Sequence, residues 1–141
     1  MVAQGISVKM TEPPPAKVEM PDMKNFSMTC AVEIDDASIT NLTMSFRIAP
    51  QNENTKPDSL LTLLWPTPLS QSPIDITEGP FTGRIANFTA IVDNETLKEY
   101  RVTVGPVKSY HDSGNYSCQV ITASSGNESD KFPVNIFGMS N

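Results

Sequence analysis

One stretch of this chain constrains its fold more than any other, and it reads Asp112-Ser-Gly-Asn-Tyr-Ser-Cys118. Within seven residues it combines an acid, a turn glycine (Gly114), a tyrosine (Tyr116) and a cysteine, with the tyrosine two positions before the cysteine. Segments of alternating apolar and polar residues lie on both sides of it, and no segment of useful length has helical periodicity. Because alternation with period two is typical of half-buried strands, we expect an all-β chain.

The pattern Asp-x-Gly-x-Tyr-x-Cys, with an upstream cysteine, resembles the immunoglobulin superfamily and looks most like a V-set-like domain. The resemblance covers about residues 24 to 137 and implies an immunoglobulin-like antiparallel β-sandwich with Greek-key topology. It implies that Tyr116 begins strand F and that its hydroxyl bonds back to backbone a few residues upstream. It further implies one inter-sheet disulfide between Cys118 and Cys30 of strand B.

The same resemblance implies an ion pair at one end of the sandwich. In V-set domains an arginine that opens strand D pairs with the aspartate of the motif, and the matching residues here are Arg84 and Asp112. A planar guanidinium suits a carboxylate partner, so this role is structural. The alternative is two unrelated surface charges.

The chain departs from the family in its core aromatic residue. The family places a tryptophan on strand C against the disulfide, whereas this chain has Phe46 there, which we interpret as the substitute. A competing interpretation makes Trp65 the core tryptophan, although Pro66 would then lie beside a central strand that needs every N–H. The departure leaves the V-set or I-set subtype open.

Composition limits the classes of function. With 38% hydrophobic and 18% charged residues among 141, the chain is expected to form one globular domain. Its formal net charge of −6 argues against binding to nucleic acid or to anionic lipid. We find no apolar run that could cross a membrane and no secretory leader, and both ends look trimmed.

Alternation of apolar and polar residues, together with the family resemblance, predicts the strands and the domain boundaries. Residues 1–23 are an N-terminal lead-in with strand A, residues 24–138 a single immunoglobulin-like domain, and residues 139–141 a tail. The Pro13-Pro14-Pro15 triplet is expected to interrupt strand A. The resemblance to V-set-like domains implies that its two halves lie on different sheets. The remaining strands are predicted at 26–34 (B), 42–48 (C), 60–65 (C′), 82–91 (D), 100–104 (E), 115–122 (F) and 131–137 (G).

Cysteines and glycosylation sequons point to an oxidising, extracellular compartment. A disulfide implies such a compartment, and the alternative is two buried free thiols in a cytosolic protein. The sequence Asn-x-Ser/Thr occurs six times, whereas this composition would give about two by chance. The sequons are at Asn25, Asn41, Asn87, Asn94, Asn115 and Asn127. In the predicted topology Asn41, Asn94 and Asn127 lie at one end, which favours recognition through a sheet face rather than through loop tips.

Few residues could support catalysis. The only histidine, His111, lies in the predicted E–F corner, and both cysteines are assigned to the core. The acid pair Asp35-Asp36 is better explained as a solvated turn than as a metal site. We expect no enzyme, no cofactor and no metal.

Strand C′ is the candidate partner-binding element. Five of the six residues from Leu60 to Trp65 are apolar, so a one-sided core cannot bury them all. We expect Leu61, Leu63 and Trp65 to share one face and to contact a protein partner, since tryptophan is enriched among binding hot spots. The alternative is that the flanking loops bury this strip.

Together these observations predict a non-catalytic recognition domain of a cell-surface protein. The expected function is cell–cell adhesion or receptor–ligand binding, with a protein on another cell or a second copy of the same protein. The alternative is a secreted immunoglobulin-domain module, such as a matrix or immune-modulating protein.

Overall fold

A computed structural model describes residues 5–20, 25–36, 38–50, 58–67, 69–78, 83–105, 112–123 and 125–138. The described strands are β1 (Ile6–Glu12), β2 (Lys17–Met20), β3 (Phe26–Ile34), β4 (Leu42–Pro50), β5 (Asp58–Trp65), β6 (Ile74–Asp75), β7 (Ile85–Asp93), β8 (Leu97–Val104), β9 (Gly114–Ile121), β10 (Gly126–Glu128) and β11 (Phe132–Gly138). His111, Thr82 and the tail 139–141 lie outside the described residues.

The strands form two sheets that pack as a sandwich. The back sheet has the order β1-β3-β8-β7, and the front sheet has the order β2-β11-β9-β4-β5-β6, with β10 paired to β9. In immunoglobulin terms these are A-B-E-D and A′-G-F-C-C′-C″, the variable-type arrangement. The immunoglobulin-like β-sandwich fold is therefore confirmed. All strand pairs are antiparallel except β2 with β11, which is parallel.

The proline triplet moves the first strand from one sheet to the other. β1 pairs with β3 in the back sheet, and β2 pairs with β11 in the front sheet. Proline lacks the N–H that a ladder requires, so the chain leaves one sheet at residues 13–15 and joins the other. Strand A is broken as predicted, and the sandwich includes the segment 5–20 that the sequence pattern sets apart as a lead-in.

The core lies between the sheets and follows the alternation in the sequence. Met28, Cys30 and Val32 of β3 are completely buried, and they face Met44 and Phe46 of β4 across the sandwich. Cys30 and Cys118 form the inter-sheet disulfide. Phe46 is fully buried and is paired in register with Cys118, which fits its predicted place beside the disulfide.

Candidate recognition surface

The motif at the start of β9 forms a corner that holds the two sheets together. The Tyr116 hydroxyl donates a hydrogen bond of 2.6 Å to the carbonyl oxygen of Asp112, four residues upstream. The Phe26 and Tyr116 rings pack in a T-shaped arrangement with their centroids 5.4 Å apart. Burial, and secondarily the nearby Asp112 carboxylate, raises the pKa of the Tyr116 phenol well above its usual value.

Arg84 closes the same end of the core. Its Nη2 lies 2.5 Å from Asp112 Oδ2, and the Asp112 side chain is only 6% exposed. The predicted ion pair is therefore confirmed. Gly114 corrects one detail of the motif, because it is a buried strand residue at the start of β9 and not part of a turn. Its φ is not positive, unlike that of Gly83 or Gly105.

Two serines that the sequence pattern did not single out also brace this region. Ser113 Oγ accepts a 2.9 Å hydrogen bond from the backbone N–H of Ile136 in β11. Ser129 Oγ accepts a 2.9 Å hydrogen bond from the backbone N–H of Cys118. A serine in a polar segment carries no sequence signal for such a contact, because the partner is distant in the chain.

The predicted partner-binding strip is wrong, because its residues form part of the core. Leu61, Leu63 and Trp65 are between 0% and 2% exposed. They pair in register with Phe46, Met44 and Leu42, which also point inward. When a strand is apolar on both faces, its sequence does not show which face is outward. If the wrong face is chosen, every residue of the strand is assigned to the wrong side of the sheet.

Trp65 is instead the centre of a polar and aromatic cluster. Its ring and the Tyr100 ring pack in a T-shaped arrangement with their centroids 5.4 Å apart, and its Nε1 lies 3.4 Å from Asp93 Oδ2. Asp93 also accepts hydrogen bonds from Lys98 Nζ at 2.5 Å and from the Tyr100 hydroxyl at 2.7 Å. Trp65 is thus a core tryptophan, as the competing interpretation held, but it lies on C′ and not on C.

The outward face of the front sheet carries a row of mostly apolar side chains near the end of the sandwich where β9 finishes, which we call the upper end. Ile121 of β9 pairs with Thr43 of β4, Thr43 with Leu64 of β5, and Leu64 with Ile74 of β6. Their chain neighbours Val120, Met44 and Leu63 are completely buried, so this row points to solvent. Ile121 is 45% exposed and Ile74 is 51% exposed.

A second row lies one step further down the same face. Gln119 pairs with Ser45, and Ser45 pairs with Thr62, whose carbonyl accepts a 2.9 Å hydrogen bond from the N–H of Ile76. Ile76 is 42% exposed. We call the two rows together the front-sheet patch, which consists of Thr43, Ser45, Thr62, Leu64, Ile74, Ile76, Gln119 and Ile121.

Charged residues border the front-sheet patch but do not enter it. All eight patch residues are uncharged. Arg47, in the next row down, donates a 3.0 Å hydrogen bond from Nη1 to Gln119 Oε1. Glu128, on β10, accepts a 3.0 Å hydrogen bond from Ser117 Oγ. A centre without charged residues and a border that carries them is the composition that protein interfaces share.

The sequons lie around the patch and not within it. Thr40 and Glu95 line one cavity of about 400 Å³ at the loop end, which places the adjacent Asn41 and Asn94 there. Asn127 Nδ2 lies 3.4 Å from the Ile6 carbonyl at the same end. The predicted clustering of these three asparagines is confirmed, and Asn127 is half-buried while the other two are exposed.

The other three sequons are spread over the molecule. Asn25 precedes β3 at the opposite end, Asn87 is an exposed residue of β7, and Asn115 is an exposed residue at the lower end of the front sheet. Asn115 is three side-chain rows below Ile121, roughly 20 Å away. The front-sheet patch therefore has a sequon above it (Asn41) and one well below it.

The described residues offer little else in the way of a site. Among them there is no cluster of three or more histidine, cysteine or acidic side chains that could hold a metal ion. Nor does any helix in this part of the chain have the length and apolarity to cross a bilayer.

No protein-family model matches the chain, and no curated protein has a similar sequence.

Proposed function

We propose that the chain is an extracellular, non-catalytic recognition domain of the immunoglobulin superfamily, displayed by a cell-surface protein for adhesion or receptor–ligand binding. The front-sheet patch is the surface that contacts the partner. The observation that carries the proposal is the exposure of three isoleucines, Ile74, Ile76 and Ile121, within one uncharged patch of the front sheet. Exposed apolar side chains that share one face with no charged residue among them are a feature of protein-contact surfaces.

The energetics of the patch favour a protein partner. Burial of a charged group is unfavourable unless it is paired, and none of the patch residues is charged, so a partner can cover it without that penalty. Hydroxyl groups of Ser45 and Thr62 already bond to each other at 3.2 Å, so their polarity is satisfied within the sheet. Because no patch residue is charged, a second copy that docks through the same patch brings no like charges together within it.

The disulfide and the sequons support an extracellular location. The Cys30–Cys118 disulfide fits an oxidising environment, and six sequons exceed what this composition would give by chance. Three of them surround the loop end, where attached glycans would obstruct the tips. The sheet face then remains the accessible surface of the upper half of the domain.

The test is a matched set of isoleucine-to-lysine substitutions in the glycosylated, secreted domain. Ile74→Lys and Ile121→Lys place a charge in the patch, and Ile91→Lys makes the same change at a 43% exposed isoleucine of the back sheet. Two readouts are used: aggregation of beads coated with the domain, and staining of a panel of cell lines by a fluorescent tetramer of the domain. Circular dichroism checks the fold of each variant.

We expect bead aggregation or cell staining to be lost at least tenfold in Ile74→Lys and Ile121→Lys, and retained in Ile91→Lys, since tenfold is about 1.4 kcal/mol. Bead aggregation would identify a second copy as the partner, and staining alone a different protein. Binding that survives both patch substitutions but not Ile91→Lys would reject the front-sheet patch as the contact surface.

A further inference from the structure

Strand β7 is an exposed edge of the back sheet. It pairs with β8 along one side, and no other described strand pairs with its second side. All residues from Ala86 to Ile91 are exposed. The backbone N–H and C=O groups of such an edge can form a ladder with another chain.

The side chains of β7 provide little protection against that pairing. Between Arg84 and Asp93 the strand contains no charged residue and no proline. Phe88 is 38% exposed and Ile91 is 43% exposed. Edge strands are normally prevented from pairing with another chain by charged side chains, proline, short length or β-bulges. Of these features β7 has only bulges, seen as two register shifts in its pairing with β8.

A glycosylation sequon lies in the middle of this strand. It is Asn87-Phe88-Thr89, and both Asn87 and Thr89 are exposed. Asn87 pairs with Thr103, whose hydroxyl lies 3.2 Å from that of Ser27 on the outer face of the back sheet. A glycan on Asn87 would therefore emerge from the outer face, directly beside the free edge.

The geometry of strand addition shows what such a glycan would do. A strand added to β7 would lie about 4.8 Å away and would place a side chain about 5 Å from the Asn87 Cβ. The first sugars on Asn87 would compete for that volume. A second β7 is the natural partner, because antiparallel pairing of one strand with its own copy makes a closed two-fold dimer. The one charged residue of β7, Asp93, is its last residue, so antiparallel pairing about the middle of the strand would keep the two Asp93 side chains apart.

We propose that Asn87 carries an N-linked glycan that prevents β7 from pairing with β7 of a second copy. The inference shares with the proposed function only the passage of the chain through the secretory pathway. It does not depend on the front-sheet patch or on the identity of a partner.

The test compares variants of the glycosylated domain secreted from mammalian cells. Asn87→Gln and Thr89→Ala each remove the sequon, through different residues. Thr89→Ser keeps the sequon, and Asn25→Gln removes a different exposed one. Peptide mass spectrometry measures occupancy at Asn87, and sedimentation velocity measures mass over a concentration series. All variants are also made with Ile74→Lys, to remove any association through the front-sheet patch.

We expect Asn87→Gln and Thr89→Ala to shift with concentration towards about twice the monomer mass, while Thr89→Ser and Asn25→Gln stay monomeric in the Ile74→Lys background. Adding Ile91→Lys to Asn87→Gln should restore the monomer, because a charge on the edge opposes pairing of folded domains. A misfolded aggregate would not respond in this way. The proposal is overturned by an unmodified Asn87 in the wild-type protein, by monomeric Asn87→Gln and Thr89→Ala, or by association that Ile91→Lys does not reverse.

Discussion

The ammonium group of Lys98 lies 5.3 Å from the centroid of the Trp65 ring, and both side chains are completely buried. Lys98 Nζ also donates hydrogen bonds of 2.5 Å to Asp93 Oδ1 and to the Leu69 carbonyl. One lysine therefore connects the hairpin of β7 and β8 to the connection that follows β5. A buried cation is tolerated only where such partners replace its water.

Trp65→Ala should reduce the stability of the domain, because it opens a cavity in the core. We expect a loss of about 3–5 kcal/mol in the free energy of unfolding, measured by urea denaturation. The exposed Ile74→Ala is the control and should change stability by less than about 0.5 kcal/mol. A Trp65→Ala domain of unchanged stability would show that this side chain is not part of the core.

Lys98→Met should also be strongly destabilising, although it conserves most of the side-chain volume. It removes the hydrogen bonds that Lys98 donates to the Asp93 carboxylate, whose side chain is 21% exposed, and to the carbonyl of buried Leu69, so we expect a loss of about 1.5–3 kcal/mol. Thermal and urea unfolding of Lys98→Met, with the exposed Lys131→Met as control, measure this. In a double-mutant cycle with Asp93→Asn, we expect a coupling of about 1–3 kcal/mol; additive effects would exclude a direct Lys98–Asp93 interaction.

Tyr116→Phe tests the corner at the start of β9. The substitution removes the buried hydrogen bond from the Tyr116 hydroxyl to the Asp112 carbonyl, so we expect a loss of about 0.5–1.5 kcal/mol in the free energy of unfolding. Ser27→Ala, which removes an exposed hydroxyl, should lie within about 0.5 kcal/mol of wild type. Equal effects of the two substitutions would argue that the corner hydrogen bond does not contribute.

The tyrosines also predict how stability depends on alkaline pH. Burial raises the pKa of Tyr116 and of Tyr100 above the ordinary value of 10.0, and the Asp93 hydrogen bond adds to the effect at Tyr100. Above pH 10 the unfolded chain releases phenol protons that the folded chain retains, so stability should fall as pH rises. Denaturation between pH 8 and about 11 should show a shallower fall in Tyr116→Phe and Tyr100→Phe. Identical slopes in wild type and both variants would contradict raised pKa values in the folded state.

Much of the fold could be predicted because it depends on local alternation. Strand β3 has the bounds expected from Phe26 to Ile34, since a run with one apolar and one polar face admits a single orientation toward the core. The short strands β6 and β10 were missed, because two or three residues give no periodic pattern, and their pairing partners decide whether they form.

The candidate surface could be predicted only in its location. Strand C′ (β5) was identified as the candidate element, but the residues assigned to the surface, Leu61, Leu63 and Trp65, lie on its inward face. Leu64 is apolar in the same run as Leu63, and only the register with β4 shows that Leu63 meets buried Met44 while Leu64 meets Thr43. Ile121 and Ile74 come from strands far apart in the chain, so their alignment with Leu64 has no sequence signal.

By itself, the sequence predicted alternating strands, and its resemblance to immunoglobulin domains implied the sandwich, the disulfide and the Arg84–Asp112 contact. Only the tertiary structure decided that Lys98 is buried beside Trp65 and that the isoleucines of three strands form one face. The physical reason is that burial and cross-strand alignment depend on which segments meet in space, and the pairing of distant strands is a property of the whole chain.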